Sequence, residues 1–598
     1  MNILGLNLGY MATASLCVDG KIVSCVSQER FSRNKNDESY PKDAIEFCLK
    51  NSKLKASDID IVAIGSIMHD VWHRLGHYYS KFSIQDRLDE QYKFWKPLLI
   101  DKKKILWQKL YYKRLDFHQY PGNWKTLYEK LYNKDNFSKE DNKVIQDFFV
   151  DIIYNHLKVK KEKVRFVDHH TAHACYAYYS SPYTKGRTLV LTLDAFGDGA
   201  SATVSIGENK NIKRVKTISH KNFQIARIYR YITLLLGMKP DEHEYKVMGL
   251  APYAKQEIFD KAYKVFKETM YVEGIDFKFK KRPKDLYHHF KNKLEGIRFD
   301  GIAGGLQLFV EELISEWVQN VVKKYKIDKL VFAGGVVMNI KAIQKVSELP
   351  SVKKIFVPPS PGDDSLGMGA AYYYAKTIGE KRIYPLKNAY LGSEIDNDEI
   401  LKVIFKLKNN SKFRIIKNIK IKDIAVKLSK GRILARCAGR MEFGARSLGN
   451  RSILADPRSS KMIRVINEKI KNRDFWMPFA PAILKEKANI YIKNPKRIKA
   501  PFMTIAFDTT SVAEDKLAAA IHPVDFTARP QLVDKNENLD FHSLISEFYK
   551  ITGVAGLLNT SFNLHGKPIV RTADEALEVF EMTDIDDLWL GSILISKK

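Results

Sequence analysis

Two stretches of the chain carry the same local device. An apolar strand over residues 3–8 runs into a small-residue turn, Gly9 to Thr13, and a second strand, Ala14 to Val18, reverses at Asp19-Gly20 into Lys21 to Val26. Asp-Gly between two apolar runs is a strong signal for a two-residue hairpin turn. Much further on, the β-branched and leucine run Thr188 to Leu193 ends at Asp194, and Ala195-Phe-Gly-Asp-Gly-Ala-Ser-Ala202 enters another strand, Thr203 to Ile206. A strand, glycine turn and strand used twice predicts an internally duplicated α/β fold. Turns of this kind can aim backbone N–H groups at phosphate, and Gln28 to Lys35 adds cationic side chains beside the first.

The second strand places the Asp194 carboxylate at the exit of a buried run. Just before it, Asp168-His-His-Thr-Ala-His-Ala174 sets His169 and His173 one helical turn apart, so their imidazoles point the same way and can share one cation. Such a pair also occurs on plain helix surfaces. Asp363, in Pro361-Gly-Asp-Asp364 ahead of the small-residue run Ser365 to Ala371, could complete a mixed nitrogen and oxygen set. That set suits iron(II), zinc or manganese better than calcium or magnesium.

At 598 residues the chain is long enough for several domains. Its five cysteines, Cys17, Cys25, Cys48, Cys175 and Cys437, lack paired spacing, which argues for a reducing compartment and against a zinc ribbon or disulfide framework. Met1 leads straight into Asn2-Ile-Leu-Gly with no basic leader, and no run of some 18 apolar residues occurs. The expectation is a soluble cytoplasmic protein with no membrane partner. A net charge of +30 needs a reason in an enzyme. Residues 411–500 carry +18 and residues 501–598 carry −7. A polyphosphate or nucleic-acid partner explains that imbalance, and so does a lysine-rich solvated surface.

Residues 71–150 mix Trp72, Trp95, Trp107 and Trp124 with tyrosines and basic clusters at helical spacing. They read as packed helix faces with charged outer sides rather than a stacking surface for bases. Glu244-Tyr-Lys-Val-Met-Gly-Leu-Ala-Pro-Tyr253 reads as a helix closed by glycine, with Lys246 available to an anion. Lys329 to Asn339 is a strand that breaks at Gly334-Gly335 into a helix, which lets a nucleotide approach backbone closely. The pattern relaxes at 380–395, a plausible boundary between a domain over 1–390 and one over 391–598. In the second, Gly439 to Ile453 carries Arg440, Arg446 and Arg451 among glycines, a fork for phosphate oxygens. Lys471, Arg529 and the turn Asn559-Thr-Ser-Phe-Asn-Leu-His-Gly566 extend it.

These blocks, in this order, resemble the O-carbamoyltransferases of the NodU/CmcH family. The resemblance rests on the N-terminal hairpin, His169-His-x-x-His173 read from its second histidine pair, Glu244 to Tyr253, Gly334-Gly-Val336 and Gly362-Asp-Asp364. It continues through Gly439-Arg-Met-Glu-Phe-Gly-x-Arg-x-Leu-Gly-Asn-Arg-Ser-Ile453 and Asn559-Thr-Ser-Phe-Asn-x-x-Gly-x-Pro-Ile-Val570. It implies an actin-like (ASKHA, ribonuclease H-like) duplicated domain followed by a YrdC-like α/β domain. The second would form carbamoyl adenylate from carbamoyl phosphate and ATP, with magnesium on the nucleotide. The first, holding iron, would pass the carbamoyl group to a hydroxyl. Carried over by motif, His169, His173, Asp194 and Asp363 hold the metal, and Gly334, Gly335, Asn339 and Asp198 meet the nucleotide. Glu244, Lys246 and Tyr10 act at the reacting centre. Arg440, Arg446, Arg451, Lys471, Arg529, Asn559, Ser561 and Asn563 bind carbamoyl phosphate and triphosphate.

One departure stands out. Many members carry Asp-Gly-His-Asn-Ala-Ser where this chain has Leu8-Gly-Tyr-Met-Ala-Thr13. Leu8 and Tyr10 replace the likeliest proton acceptors, so the base falls to another residue, Glu244 among them. Phe526 stands where glycine is common. The expected function is ATP-dependent O-carbamoyl transfer to a small metabolite or to a hydroxymethylated nucleobase. The alternative is a nucleic-acid-binding protein of the same fold without transfer activity, and a sugar kinase is disfavoured by the two-histidine site. A homodimer is compatible with the sequence.

Overall fold

The computed structural model describes residues 1–598 apart from 70, 77–81, 120, 135–136, 409 and 472, with backbone alone at 119, 125 and 469. The chain divides into two compact units, Met1–Pro385 and Leu386–Lys598.

The first unit is built on two five-stranded sheets with the same wiring. Strands β1 (Asn2–Asn7), β2 (Thr13–Val18) and β3 (Lys21–Ser27) form an antiparallel meander, and β4 (Ile61–Ile64) and β5 (Val164–Phe166) add in parallel, in the order β3-β2-β1-β4-β5. In the other sheet β6 (Arg187–Gly197), β7 (Ala200–Glu208) and β8 (Asn211–Ser219) form the meander. A hairpin of β9 (Met270–Glu273) and β10 (Asp276–Phe279) stands apart, and β11 (Lys329–Ala333) and β12 (Lys354–Phe356) complete the order β12-β11-β6-β7-β8. This is the duplicated actin-like arrangement.

The repeat aligns differently from the glycine turns in the sequence. Asp19 and Gly20 both have positive φ, 48° and 75°, as the tight hairpin turn requires. Their counterpart between β7 and β8 is Asn209-Lys210, at 48° and 67°, with no glycine. Asp198-Gly199 joins β6 to β7 and so corresponds to the Leu8–Ala12 loop between β1 and β2.

The aromatic segment packs, as its periodicity predicts. Trp72, Trp107 and Trp124 are buried in one apolar cluster with Leu8, Phe82 and Phe149. The helix Glu244–Leu250 is not closed by glycine: it runs through buried Gly249 and tightens into the turn Ala251–Tyr253, where Pro252 ends it.

The second unit holds one eight-stranded mixed sheet, built from β13 (Phe413–Ile416), β14 (Leu434–Cys437), β15 (Arg451–Ala455) and β16 (Ala480–Leu484). A short ladder of β17 (Phe507–Asp508) and β18 (Thr527–Ala528) precedes β19 (Gln531–Val533), β20 (Gly556–Ser561), β21 (Asp587–Leu590) and β22 (Ile593–Lys597). The order is β13-β22-β21-β14-β15-β20-β16-β19. The arginine-bearing loop 438–450 connects the antiparallel pair β14 and β15, and Asn559 and Ser561 lie on β20 beside it. Phe526 has φ 55°, a left-handed conformation that favours glycine. Among the described residues no helix is long and apolar enough to cross a membrane.

Candidate functional site

The helix His169–Tyr179 starts at Asp168, whose side chain accepts from Thr171 N and caps it. That start fixes which turn carries His169 and His173. Strand β6 loses register with β7 between Leu193 and Gly197, and this bulge turns Asp194 toward the helix. The helix Leu366–Thr377 lies against both β1 and the histidine helix. A Cβ at its Gly369 would sit 1.9 Å from the Ala172 carbonyl oxygen, so only glycine allows the approach that brings Asp363 to the histidines.

The result is a compact quartet. His169 Nε2 lies 3.2 Å and His173 Nε2 3.0 Å from Asp194 Oδ2. The same nitrogens lie 3.6 and 3.4 Å from Asp363 Oδ1. One ligand atom from each residue falls within 4.8 Å of all the others. His173 is 0% exposed and Asp363 28%, so the group is closed on one side and reachable on the other. Burial disfavours charge on His173, but its hydrogen bonds to Asp194 and Asp363 outweigh burial and push it up to about 9. Burial also opposes the Asp194 anion, and the two imidazoles hold it well below the usual carboxylate range. Buried Asp194 and half-buried Asp363 together draw in positive charge, which a divalent ion on the same four atoms would supply. The residues therefore fit a transition metal of mixed nitrogen and oxygen ligation.

Gly334 and Gly335 adjoin this quartet. Gly334 has φ 107°, and a Cβ there would meet the Leu193 carbonyl oxygen at 2.2 Å. Its N–H donates to Pro361 O at 2.7 Å, tying the loop of Asp363 to the glycine pair. A Cβ at Gly335 would meet Asp194 Oδ1 at 3.1 Å. The other two nucleotide candidates are held by the fold around them. Asn339 Oδ1 caps the helix Ile340–Glu348 through Ala342 N, and its amide exchanges hydrogen bonds with Gln307. Asp198 accepts from Ser66 Oγ, Ile67 N, Met68 N and His169 N, so it anchors the histidine helix.

Tyr10 is engaged by the fold as well. Its hydroxyl donates to the Asp241 carbonyl, and burial and then the charge of Asp241 raise it well above the phenol range. Leu8 is buried in the aromatic cluster. Glu244, first residue of its helix, accepts from Asp241 N at 2.7 Å. Burial, then the Asp241 charge, pushes Glu244 up to about 7. Lys246 lies on the same helix, half-buried.

In the second unit the fork is assembled differently from the sequence expectation. Arg451 is 0% exposed, and its guanidinium donates to the carbonyls of Ala438, Gly439, Asn450, Ser393 and Arg571. Arg440 donates to the carbonyls of Leu391 and Gly392. Both hold the loop through these carbonyls. Glu442 Oε1 grips the loop from inside, accepting from the backbone N–H groups of Leu448, Asn450 and Arg451. Lys471 Nζ is buried against Ser561 O, Asn563 O and Asn563 Oδ1, which joins three expected residues. Asn559 donates to Ser447 O and Gln531 Oε1.

Arg529 is held well below its ordinary range by burial and then by the charges of Arg446 and Arg473. The charges of Arg446 and Arg473 both act on buried Arg529, and this concentration of guanidinium groups forms a locus for polyanionic charge. Arg473 stands two residues after Lys471 in the same basic stretch, a signal visible in the sequence.

The sequence profile described as Carbamoyltransferase N-terminus matches residues 2–372, and that described as Carbamoyltransferase C-terminus matches 425–597. The chain belongs to the carbamoyltransferase family. It is 31% identical to an uncharacterized protein of Methanocaldococcus jannaschii over 100% of this chain and 99% of that protein. It is 29% identical to nodulation protein NolNO of Sinorhizobium fredii over 98% of this chain and 78% of that one. Among solved structures, component A of the (R)-2-hydroxyglutaryl-CoA dehydratase of Acidaminococcus fermentans matches 63% of this chain and 99% of its own at 12% identity and TM-score 0.32. Full-length HypF in its phosphate- and nucleotide-bound form matches 42% of this chain and 51% of its own at 12% identity and TM-score 0.24. This carbamoyltransferase is thus an enzyme of carbamoyl transfer.

Proposed function

We propose that the protein is an ATP-dependent O-carbamoyltransferase whose two units divide the reaction. In the second unit, water cleaves carbamoyl phosphate to carbamate and phosphate, and a carbamate oxygen attacks the α-phosphorus of ATP, giving carbamoyl adenylate as the bond to pyrophosphate breaks. Arg446, Arg473 and Arg529 neutralise the phosphates as charge develops on the leaving group, and Lys471 holds the Ser561–Asn563 turn beside them. Magnesium accompanies the nucleotide.

In the first unit an acceptor hydroxyl attacks the carbamoyl carbon. The new carbon–oxygen bond forms as the bond to AMP breaks, and the hydroxyl proton leaves to a base. Glu244 suits that role, since a carboxyl titrating near neutrality is partly ionised at working pH yet basic enough to take a proton. His169, His173, Asp194 and Asp363 would hold the metal, and Gly334 and Gly335 would admit the adenylate next to it. A bound divalent ion, for which the donor set suits iron(II), zinc or manganese and the family resemblance favours iron, would supply Lewis acidity toward the carbamoyl oxygen.

The observation that carries this reading is the quartet abutting Gly335, with Asp194 Oδ1 within 3.1 Å of where a Cβ would be. The test is turnover of labelled carbamoyl phosphate and ATP against a panel of hydroxylated small molecules. Oligonucleotides with hydroxymethylcytosine belong in that panel because of the +30 net charge. Label appearing in no acceptor, with no pyrophosphate released, would refute the assignment.

A further inference from the structure

The first unit carries a second group of arginines that the transfer chemistry leaves unused. Arg227 and Arg230 lie three residues apart on the helix Ile225–Leu235, so they project from neighbouring points on its surface. Arg230 Nη2 is 3.1 Å from Asp241 Oδ2, and the same oxygen takes Arg87 Nη2 at 3.0 Å. Asp241 therefore balances the Arg87 and Arg230 side. Arg227 is half-buried, and among the described residues no carboxylate is paired with it. Burial holds its guanidinium below the ordinary range, and the charges of Arg230 and Arg282 add to that, while only the Tyr231 hydroxyl opposes.

Arg282 comes from the run Lys280-Lys-Arg-Pro-Lys284 and sits 5.5 Å over the Phe279 ring. The helix that follows, Leu286–Lys293, is pinned to the Arg227 helix by Tyr287, whose ring lies 6.2 Å from that of Tyr231. The group also adjoins the reacting centre. Asp241, the partner of Arg230, takes the Tyr10 hydroxyl on its carbonyl and gives its N–H to Glu244.

We propose that Arg227, Arg230 and Arg282 bind an anionic group, a phosphate, sulfate or carboxylate, that the hydroxyl-bearing acceptor itself carries. A half-buried guanidinium without a counter-charge costs stability that a bound anion offsets. Its place beside Asp241 and Glu244 holds such an acceptor with a hydroxyl near the candidate base. The substrate class is then a phosphorylated, sulfated or carboxylated alcohol, and neutral polyols are poor acceptors. This inference rests on the carbamoyl-transfer reading for the acceptor's identity, but not for the existence of the site.

The test starts from full-length protein carrying Arg446→Gln and Arg529→Gln, which removes the anion locus of the second unit. Equilibrium dialysis with labelled inorganic phosphate at low salt should show one remaining site per chain. Arg227→Gln or Arg282→Gln added to that protein should weaken it at least tenfold. Arg282 is exposed and its replacement removes only its contact over the Phe279 ring, leaving the core intact. Arg227→Gln should also raise the melting temperature in phosphate-free buffer and abolish the further rise that phosphate gives the parent. Unchanged phosphate affinity in both variants overturns the site. To separate an acceptor's anion from free phosphate, transfer is compared between polyols and their monophosphates in the otherwise unaltered protein. A KM advantage for the monophosphates that Arg227→Gln removes supports the acceptor assignment, and equal KM values for the two sets overturn it. Pyrophosphate release by the unaltered protein reports separately on the carbamoyl-transfer reading, so failure there leaves the phosphate titration decisive.

Discussion

Removing metal from the quartet should make the stability of the first unit fall as pH rises, because His169 and His173 are both raised, His173 by the larger amount. In the metal-free protein this imidazole is pushed up to about 9, against 6.5 when unfolded: burial opposes its charge and the hydrogen bonds to Asp194 and Asp363 prevail. A raised histidine contributes stability that is complete below its unfolded pKa and lost as pH climbs through its folded pKa. A rise from 6.5 to about 9 corresponds to about 3 kcal/mol, present below pH 6.5 and gone above pH 9. Asp194, held well below its usual range, loses the same interaction from the other side as pH falls below the ordinary carboxylate value, so the two shifts describe one interaction and do not add. Metal reverses the trend, because its binding displaces imidazole protons and tightens as pH rises. The assay is urea unfolding of chelator-treated protein at half-unit steps from pH 5.5 to 9.5, repeated with iron(II) or zinc. His173→Gln should flatten the metal-free slope across the pH 6.5–9 window. An equally steep slope in that variant would refute the reasoning.

Glu244→Gln should lower the transfer rate by about 10²–10⁴-fold. In the unaltered protein transfer should rise with pH through about 7 as this carboxyl ionises, and the variant's profile should be flat there. Gly334→Ala should destabilise by ~2 kcal/mol or more, seen as a lower melting temperature, because φ 107° is unfavourable for alanine and the new Cβ overlaps the Leu193 carbonyl. Phe526→Gly should be neutral or stabilising in the same measurement, since its side chain is 44% exposed and φ 55° suits glycine; a large loss would mean the ring makes a contact that outweighs backbone strain.

Much of the fold was legible because its signals are local. The β2–β3 hairpin announces itself through Asp19-Gly20, and β6 through a buried run ending in a carboxylate. The repeat was misaligned because Asn209-Lys210 makes the same turn without glycine, a choice that leaves no compositional mark. The quartet is readable from one helical spacing, one strand carboxylate and one loop carboxylate, yet Asp363 reaches it only through the packing of Gly369 on Ala172. The arginine roles were not readable. Arg440, Arg446 and Arg451 look alike in sequence, and only the path of the loop around Glu442 turns two of them onto carbonyls. Asp198 and Asn339 have the residue types of ligand contacts, but each is engaged by its own fold.

The division of labour between the units is tested most directly by measuring two activities on the same preparations: pyrophosphate release from ATP with carbamoyl phosphate, and label transfer to an acceptor. Arg446→Ala should abolish both, because no adenylate forms. His173→Ala should keep pyrophosphate release and lose transfer. Equal loss of both activities in the two variants would contradict the account.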